Sequence, residues 1–161
     1  MKVIAQNNLS HTEREFVYRL WNQEYPRTLS YKTTADLEAY LKTLEDPIFY
    51  FALDTSDNPV AWSTLFNREG ERWFAMIVAD EAQRNGIGRE LLERMKEKER
   101  SLYAWAIDHF DDVKSNGEIY LSPLPFYLRN GFTICHGERF PSDILSAVKI
   151  MWKRPTPEQR L

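Results

Sequence analysis

"VADEAQRNGIGRELLERM", Val78 to Met95, runs from an apolar segment through two glycines, one residue apart, into an amphipathic segment. Ahead of the glycines, "WFAMIVAD" (73–80) is a near-continuous apolar run, the pattern of a strand buried on both faces. Behind them, Ile87, Leu91, Leu92 and Met95 share one helical face, with Arg89, Glu90, Glu93, Arg94, Lys96 and Glu97 around it. The spacing predicts strand, tight turn and helix, with the helix packed on a sheet. Glycine in such a turn removes the Cβ that would hold an anion off the backbone, and the helix end adds roughly half a positive charge. A dinucleotide fingerprint needs a third glycine at position 91, where this chain has Leu91. A Walker A loop needs Lys and Ser or Thr after Gly88, where it has Arg89 and Glu90. The turn from Gln83 to Gly88 therefore either holds a pyrophosphate or simply joins strand to helix.

Working toward the N-terminus, "NREGER" (67–72) reads as a turn. "PVAWSTLF" (59–66) and "IFYFALD" (48–54) read as a hairpin around Ser56-Asp57-Asn58. Before them, Thr34–Leu44 predicts a helix with Leu37, Tyr40, Leu41 and Leu44 on one face, closed by Pro47. An earlier helix starts at a capping box, Ser10 with Glu13, and carries Phe16, Val17, Leu20 and Trp21 until Pro26. Lys2–Ala5 reads as a first strand. Toward the C-terminus, "LYAWAID" (102–108) is the preferred fifth strand. A helix prolonged to about Phe110, with "EIYLS" (118–122) as the strand, is the alternative. Asp108–Leu124 is then mostly irregular, which is long for a loop in a compact domain. "FYLRNG" (126–131) reads as a short helix ended by Gly131, "FTICH" and "LSAVKIMWK" as closing strands, and 154–161 as a frayed tail. The order β-α-α-β-β-β-α-β-α-β-β predicts an α/β (α+β) fold. Its mixed, mostly antiparallel sheet of about six to seven strands is flanked by about four helices, and ligands are expected at the ends of the central strands.

The chain has 161 residues and a formal charge of −3, which fits one domain, 1–161, and argues against an electrostatic grip on nucleic acid or anionic lipid. Its single cysteine, Cys135, permits no internal disulfide, gives no thiolate cluster for zinc, and in a strand reads as core packing. The opening "MKVIAQNNLS" lacks the apolar core of a signal peptide, and no run approaches a membrane span. These features predict a cytoplasmic protein without membrane, nucleic-acid or metal partners, either monomer or homodimer. Among the abundant aromatics, Trp21, Tyr25 and Tyr31 are candidates for lining a pocket, against the alternative that they pack in the core.

A second segment, "PLPFYLRNGF" (123–132), sharpens the reading of the turn. Gln-x-x-Gly-x-Gly after a buried strand, followed by Phe-Tyr-x-x-x-Gly-Phe at this separation, resembles the GNAT superfamily of acetyl-coenzyme A dependent N-acetyltransferases. The topology read above is similar to that fold over nearly the whole chain, with sharp motifs at 78–92 and 126–132. The resemblance implies that Gln83 takes the family's Arg/Gln position. It implies amide donors to the coenzyme A pyrophosphate from Arg84, Asn85, Gly86, Ile87, Gly88 and Arg89. Main-chain groups of about Ile77 and Val78 would pair with the pantetheine arm as if it were another strand. Tyr127 matches the tyrosine whose hydroxyl lies near the thioester sulfur.

The implied chemistry is attack of a neutral amine on the thioester, with an oxyanion held by a backbone N–H near Val78 and Tyr127 as general acid to the sulfur. For the base, His109 beside Asp108 and a water chain stand as alternatives, since "WFAMIVAD" brings no inward carboxylate before Asp80. His11 and His136 have no positional argument. The acceptor site is expected from the first two helices, the loop Tyr25–Tyr31 and the 108–124 segment, with Asp36, Glu38, Asp111, Asp112 and Glu118 as candidates to attract an ammonium. A small amine or amino-acid-like acceptor is favoured over a protein amine. A non-catalytic acyl-coenzyme A sensing module is the alternative from another class: it needs the 83–89 turn and not Tyr127.

Overall fold

The computed structural model of the chain describes residues 1–157. In chain order the elements are β1 (Lys2–Gln6), α1 (His11–Glu24), α2 (Thr34–Lys42), β2 (Glu45–Leu53), β3 (Pro59–Arg68), β4 (Glu71–Val78), α3 (Ile87–Lys96), β5 (Ser101–Ile107), α4 (Leu124–Arg129), β6 (Thr133–Arg139) and β7 (Ala147–Lys153). The strands form one seven-stranded sheet in the order β1-β2-β3-β4-β5-β7-β6. Only the β4–β5 pair is parallel, joined through α3; the others are antiparallel.

Side-chain alternation along β4 assigns the layers. Phe74 meets Tyr127 of α4, ring centroids 5.7 Å apart, while Trp62, opposite Ile77, meets Trp21 of α1. Residues 74 and 77 point to opposite faces, so α1 packs on one face of the sheet and α4 on the other. Met76, on the Phe74 face, approaches Gly88 at the start of α3, which places α3 beside α4. The helices bury the stripes their periodicity predicts: Val17, Leu20 and Trp21; Leu37 and Leu41; Ile87, Leu91, Leu92 and Met95.

Local chemistry explains where the elements start and turn. Ser10 accepts the Glu13 N–H at 3.2 Å while the Glu13 carboxylate accepts the Ser10 N–H at 2.7 Å, so the capping box starts α1. Glu69 and Gly70, both at positive φ, form the two-residue turn between β3 and β4 that the strand twist favours. The fifth strand is Ser101–Ile107, paired with β7 along its length. In 118–122 only Ile119 pairs, in an isolated bridge with Val113.

Several boundaries differ from the expectation: α4 starts at Leu124, β6 runs on to Arg139, β7 starts at Ala147, and two further differences have a clear physical cause. The second helix stops at Lys42 and Pro47 lies inside β2, because the register slips between Glu45 and Ile48 and such a bulge tolerates the missing N–H. The tail expected to fray from 154 is held at its first residue. Arg154 donates its backbone N–H to Arg100 O at 2.8 Å, and its guanidinium reaches the carbonyls of Lys96, Glu97 and Glu99. These include orphan acceptors at the negative end of α3, where a cation is stabilised. Residues 158–161 of that expected tail lie outside the described residues. Among the described residues no helix is long and apolar enough to cross a membrane.

Candidate functional site

The sheet opens between β4 and β5. Their one register pair is Trp73 with Tyr103, after which β4 runs on to Val78 and β5 to Ile107 without pairing. Ala79 donates its N–H to Val60 O on β3 at 2.9 Å. By alternation the main-chain groups of Ile77 also point to β3, and those of Met76 and Val78 point into the gap. Of the expected pair Ile77 and Val78, the backbone of Val78 therefore faces the opening. Ile77 contributes its position in the cleft wall, and Met76 supplies the second set of groups.

The cleft at this opening, about 360 Å³, is walled by Met76, Ile77 and Val78, by the turn residues Gln83, Arg84, Gly86, Ile87, Gly88 and Arg89, and by Phe126, Tyr127 and Arg129. Asn85 belongs to the same turn but is not part of the wall. α1 and α2 have side-chain caps at their N-termini, Ser10 and Thr33; α3 has none. It is entered through Gly86 at φ +78, and the first N–H returned within the helix is that of Glu90, to Gly86 O at 3.0 Å. The N–H groups of Ile87, Gly88 and Arg89 are thus left without acceptors inside the helix, among three arginines. Gln83, which is exposed, donates from its side-chain amide to Val78 O at 3.1 Å. Arg84 sits at φ +68, a left-handed conformation unusual for a residue with a Cβ, two residues before Gly86, which shares it.

The two glycines do different work. A Cβ on Gly86 would meet nothing within 4 Å, so its requirement is the positive φ. A Cβ on Gly88 would lie 3.0 Å from Phe126 Cζ, so its requirement is the close approach of α3 to α4. That approach brings Tyr127 to the turn. The Tyr127 side chain is 5% exposed and packed against Phe74, Phe126 and Phe132, and among the described residues no hydrogen bond engages its hydroxyl. Burial, and next the neighbouring Tyr120, push its phenol well above the ordinary range, so it stays protonated.

The cleft is also walled by Glu24, Tyr25, Tyr120 and Leu121. Burial raises the phenols of Tyr25 and Tyr120 as well. The 108–124 segment is folded back by the Val113–Ile119 bridge and pinned to the end of α1. Lys114 Nζ lies 3.1 Å from Glu24 Oε1, Ser115 donates to Asn22 O at 2.8 Å, and Arg27 donates its N–H to Val113 O at 2.8 Å. Of the aromatics expected to line a pocket, Tyr25 does. Trp21 is buried, donating to Leu29 O at 2.9 Å and packing against Tyr25, Tyr31 and Tyr40, so it and Tyr31 support the wall from behind.

His109 is not brought into the cleft wall. Its Nδ1 accepts the Asp111 N–H at 3.1 Å, and its ring nitrogens lie 3.7 Å from the carboxylates of Asp111 and Asp112. The adjacent Asp108 is committed to Arg139 through two bonds of 3.0 Å, which hold its carboxyl below the ordinary range. Nor do Asp36, Glu38, Asp111, Asp112 or Glu118 reach the wall; Glu38 is paired with Arg14 at 3.0 Å. The carboxylate the sequence reading missed is Glu24. It follows Val17, Leu20 and Trp21 at helical spacing, so an acid on the apolar stripe of α1 was the available signal.

A family model described as an acetyltransferase (GNAT) domain matches residues 45–134. No curated protein matches by sequence. Among solved structures, the aminoglycoside 6′-N-acetyltransferase of Enterococcus faecium aligns with a TM-score of 0.71 at 14% identity, over 98% of this chain and 99% of that one. A GNAT superfamily phosphinothricin acetyltransferase of Sinorhizobium meliloti, solved with acetyl-coenzyme A, aligns at 0.63 and 12%, over 98% and 95%. A spermidine/spermine N-acetyltransferase of Vibrio cholerae aligns at 0.61 and 17%, over 94% and 92%. At these identities the structural likeness is one of fold.

Proposed function

The chain belongs to the GNAT acetyltransferase family, and on that premise we propose that it moves an acetyl group from acetyl-coenzyme A to the primary amine of a small molecule by direct attack, with Tyr127 as general acid. The observation that carries this reading is the uncapped N-terminus of α3 sharing one cleft with Tyr127. The N–H groups of Ile87, Gly88 and Arg89, with the Arg84, Arg89 and Arg129 side chains, suit the coenzyme A pyrophosphate. The Met76 and Val78 main chain suits the amide-bearing pantetheine arm. Tyr127, its proton retained by burial, meets the thiolate as it leaves. The amine loses its proton to water, since the wall contains no imidazole.

That same lack of a free base is what favours the second reading, a module that binds acyl-coenzyme A without turnover. Tyr127→Phe separates the two. On the enzyme reading it lowers amine-dependent thiol release by about a hundredfold or more while leaving acetyl-coenzyme A affinity within about a factor of two. Thiol release that no amine stimulates in the unaltered protein would support the sensor. Unchanged turnover in Tyr127→Phe would remove the tyrosine from the mechanism.

A further inference from the structure

We propose that Glu24 selects the acceptor: its carboxylate draws in, as the ammonium, an amine that has no carboxylate beside the reacting nitrogen, the proton passing to water before that nitrogen attacks, and Lys114 holds Glu24 in place. The proposal rests on the acetyltransferase reading above. Glu24 is 9% exposed and is the only acidic side chain in the cleft wall among the described residues. Its Oε2 accepts the Asp80 N–H at 2.7 Å and its Oε1 faces Lys114 Nζ at 3.1 Å. A carboxylate has about four lone-pair directions, so acceptor capacity remains for a donor in the cleft.

A buried ion pair adds little to stability, and an apolar pair of similar volume would close the end of α1 as well. Its place in the wall of the cleft is what gives the charge a use. The charges of the wall are divided between elements: Arg84 and Arg89 come from the turn and Arg129 from α4, while Glu24, at the end of α1, is joined to the chain just ahead of the turn through the Asp80 N–H. Lys114 does not line the cleft, and it lies between Glu24 and the Glu118 carboxylate at 3.8 Å. Its ammonium is therefore not available to an acceptor's own carboxylate. An α-amino acid would bring a second negative charge against Glu24, and the arginines of the wall are the cations that the coenzyme A pyrophosphate occupies. An amine without that group meets a carboxylate and the rings of Tyr25 and Tyr120, both of which stabilise a cation.

The test compares matched acceptors on the full chain with acetyl-coenzyme A: phenethylamine against phenylalanine, and histamine against histidine. The decarboxylated member of each pair is expected to have a kcat/KM about tenfold higher or more, mostly through KM. Glu24→Gln should bring the ratio toward one by raising the amine's KM, with acetyl-coenzyme A affinity unchanged. Glu24→Gln combined with Lys114→Met should do the same without leaving an unpaired charge. Equal kcat/KM within the pairs, or a ratio that survives both variants, overturns the proposal. If acetyl-coenzyme A binds but none of the four is acetylated, calorimetry of the two amines with the coenzyme A complex decides, and absence of binding by both overturns it. If acetyl-coenzyme A itself does not bind, the acetyltransferase reading falls, and this proposal with it.

Discussion

Replacing Gly88 by alanine tests how the glycine turn and the tyrosine helix are coupled. In an exposed helix, glycine to alanine gains about 1 kcal/mol. Here the new Cβ would lie 3.0 Å from Phe126 Cζ, 3.5 Å from Cε1 and 3.6 Å from Met76 Cε, so the ring must give by a few tenths of an ångström. Overpacking of this kind costs about 1–3 kcal/mol, so the two terms leave a net loss of roughly 1 kcal/mol, visible as a small drop in denaturant midpoint. The effect on rate should be larger than the effect on stability. Phe126 and Tyr127 are adjacent on the short helix α4, and a displacement of about 1 Å can cost about a hundredfold in rate, so a fraction of that displacement predicts about a tenfold loss of kcat. Gly86→Ala is the control, because its Cβ meets nothing within 4 Å and its penalty is the positive φ, about 1–2 kcal/mol. It should weaken acetyl-coenzyme A binding and stability while sparing kcat. Steady-state kinetics, calorimetry and chemical denaturation of both variants supply the readouts. The deciding variant is Gly88→Ala with Phe126→Leu, which removes the ring atom in conflict and should restore kcat. If the two substitutions are merely additive, the reasoning is refuted and Gly88 acts on the ligand directly.

The remaining expectations concern charge, protons and caps. Lys114→Met leaves Glu24 buried without its cation and should cost about 3–5 kcal/mol in equilibrium denaturation, much of it recovered when Glu24→Gln is added. The phenols of Tyr25, Tyr120 and Tyr127 are raised by burial, and that of Tyr31 to about 12, against an ordinary 10.0. Raised values keep the folded state protonated, so the stability they contribute is present below pH 10.0 and is lost as pH rises from there through the folded values. Phenolate absorbance in the folded protein should show a late-titrating fraction that shrinks by one group in Tyr127→Phe; an unchanged late fraction would contradict the burial argument. Ser10→Ala removes the acceptor of the Glu13 N–H and should cost about 1 kcal/mol in thermal or denaturant unfolding.

Periodicity made most of the fold readable. The apolar stripes of α1 and α3, the capping box at Ser10 and the hairpin turns are local signals that tertiary packing did not override. Pro47 misled because a proline reads as a break, whereas a bulge lets it sit inside a strand. Arg154 was missed because its partners are the carbonyls that end α3, far away in sequence. The same contrast runs through the site. The turn from Gln83 to Gly88 and the segment around Tyr127 lie in short motifs, so the residues meeting in the cleft could be named in advance. His109 was chosen by nearness in topology to the end of β5, but the ring is used within its own loop. Glu24, Tyr120 and Lys114 come from the end of α1 and from a long connection, and nothing short of the folded chain joins Lys114 to Glu24.

The central claim is that the 83–89 turn is a coenzyme A site, and a calorimetric titration with acetyl-coenzyme A tests it most directly. The prediction is one saturable site, competed by free coenzyme A, weakened by about tenfold or more in Arg89→Glu and insensitive to NAD or ATP. No binding of acetyl-coenzyme A, or equal binding of NAD or ATP, would contradict it.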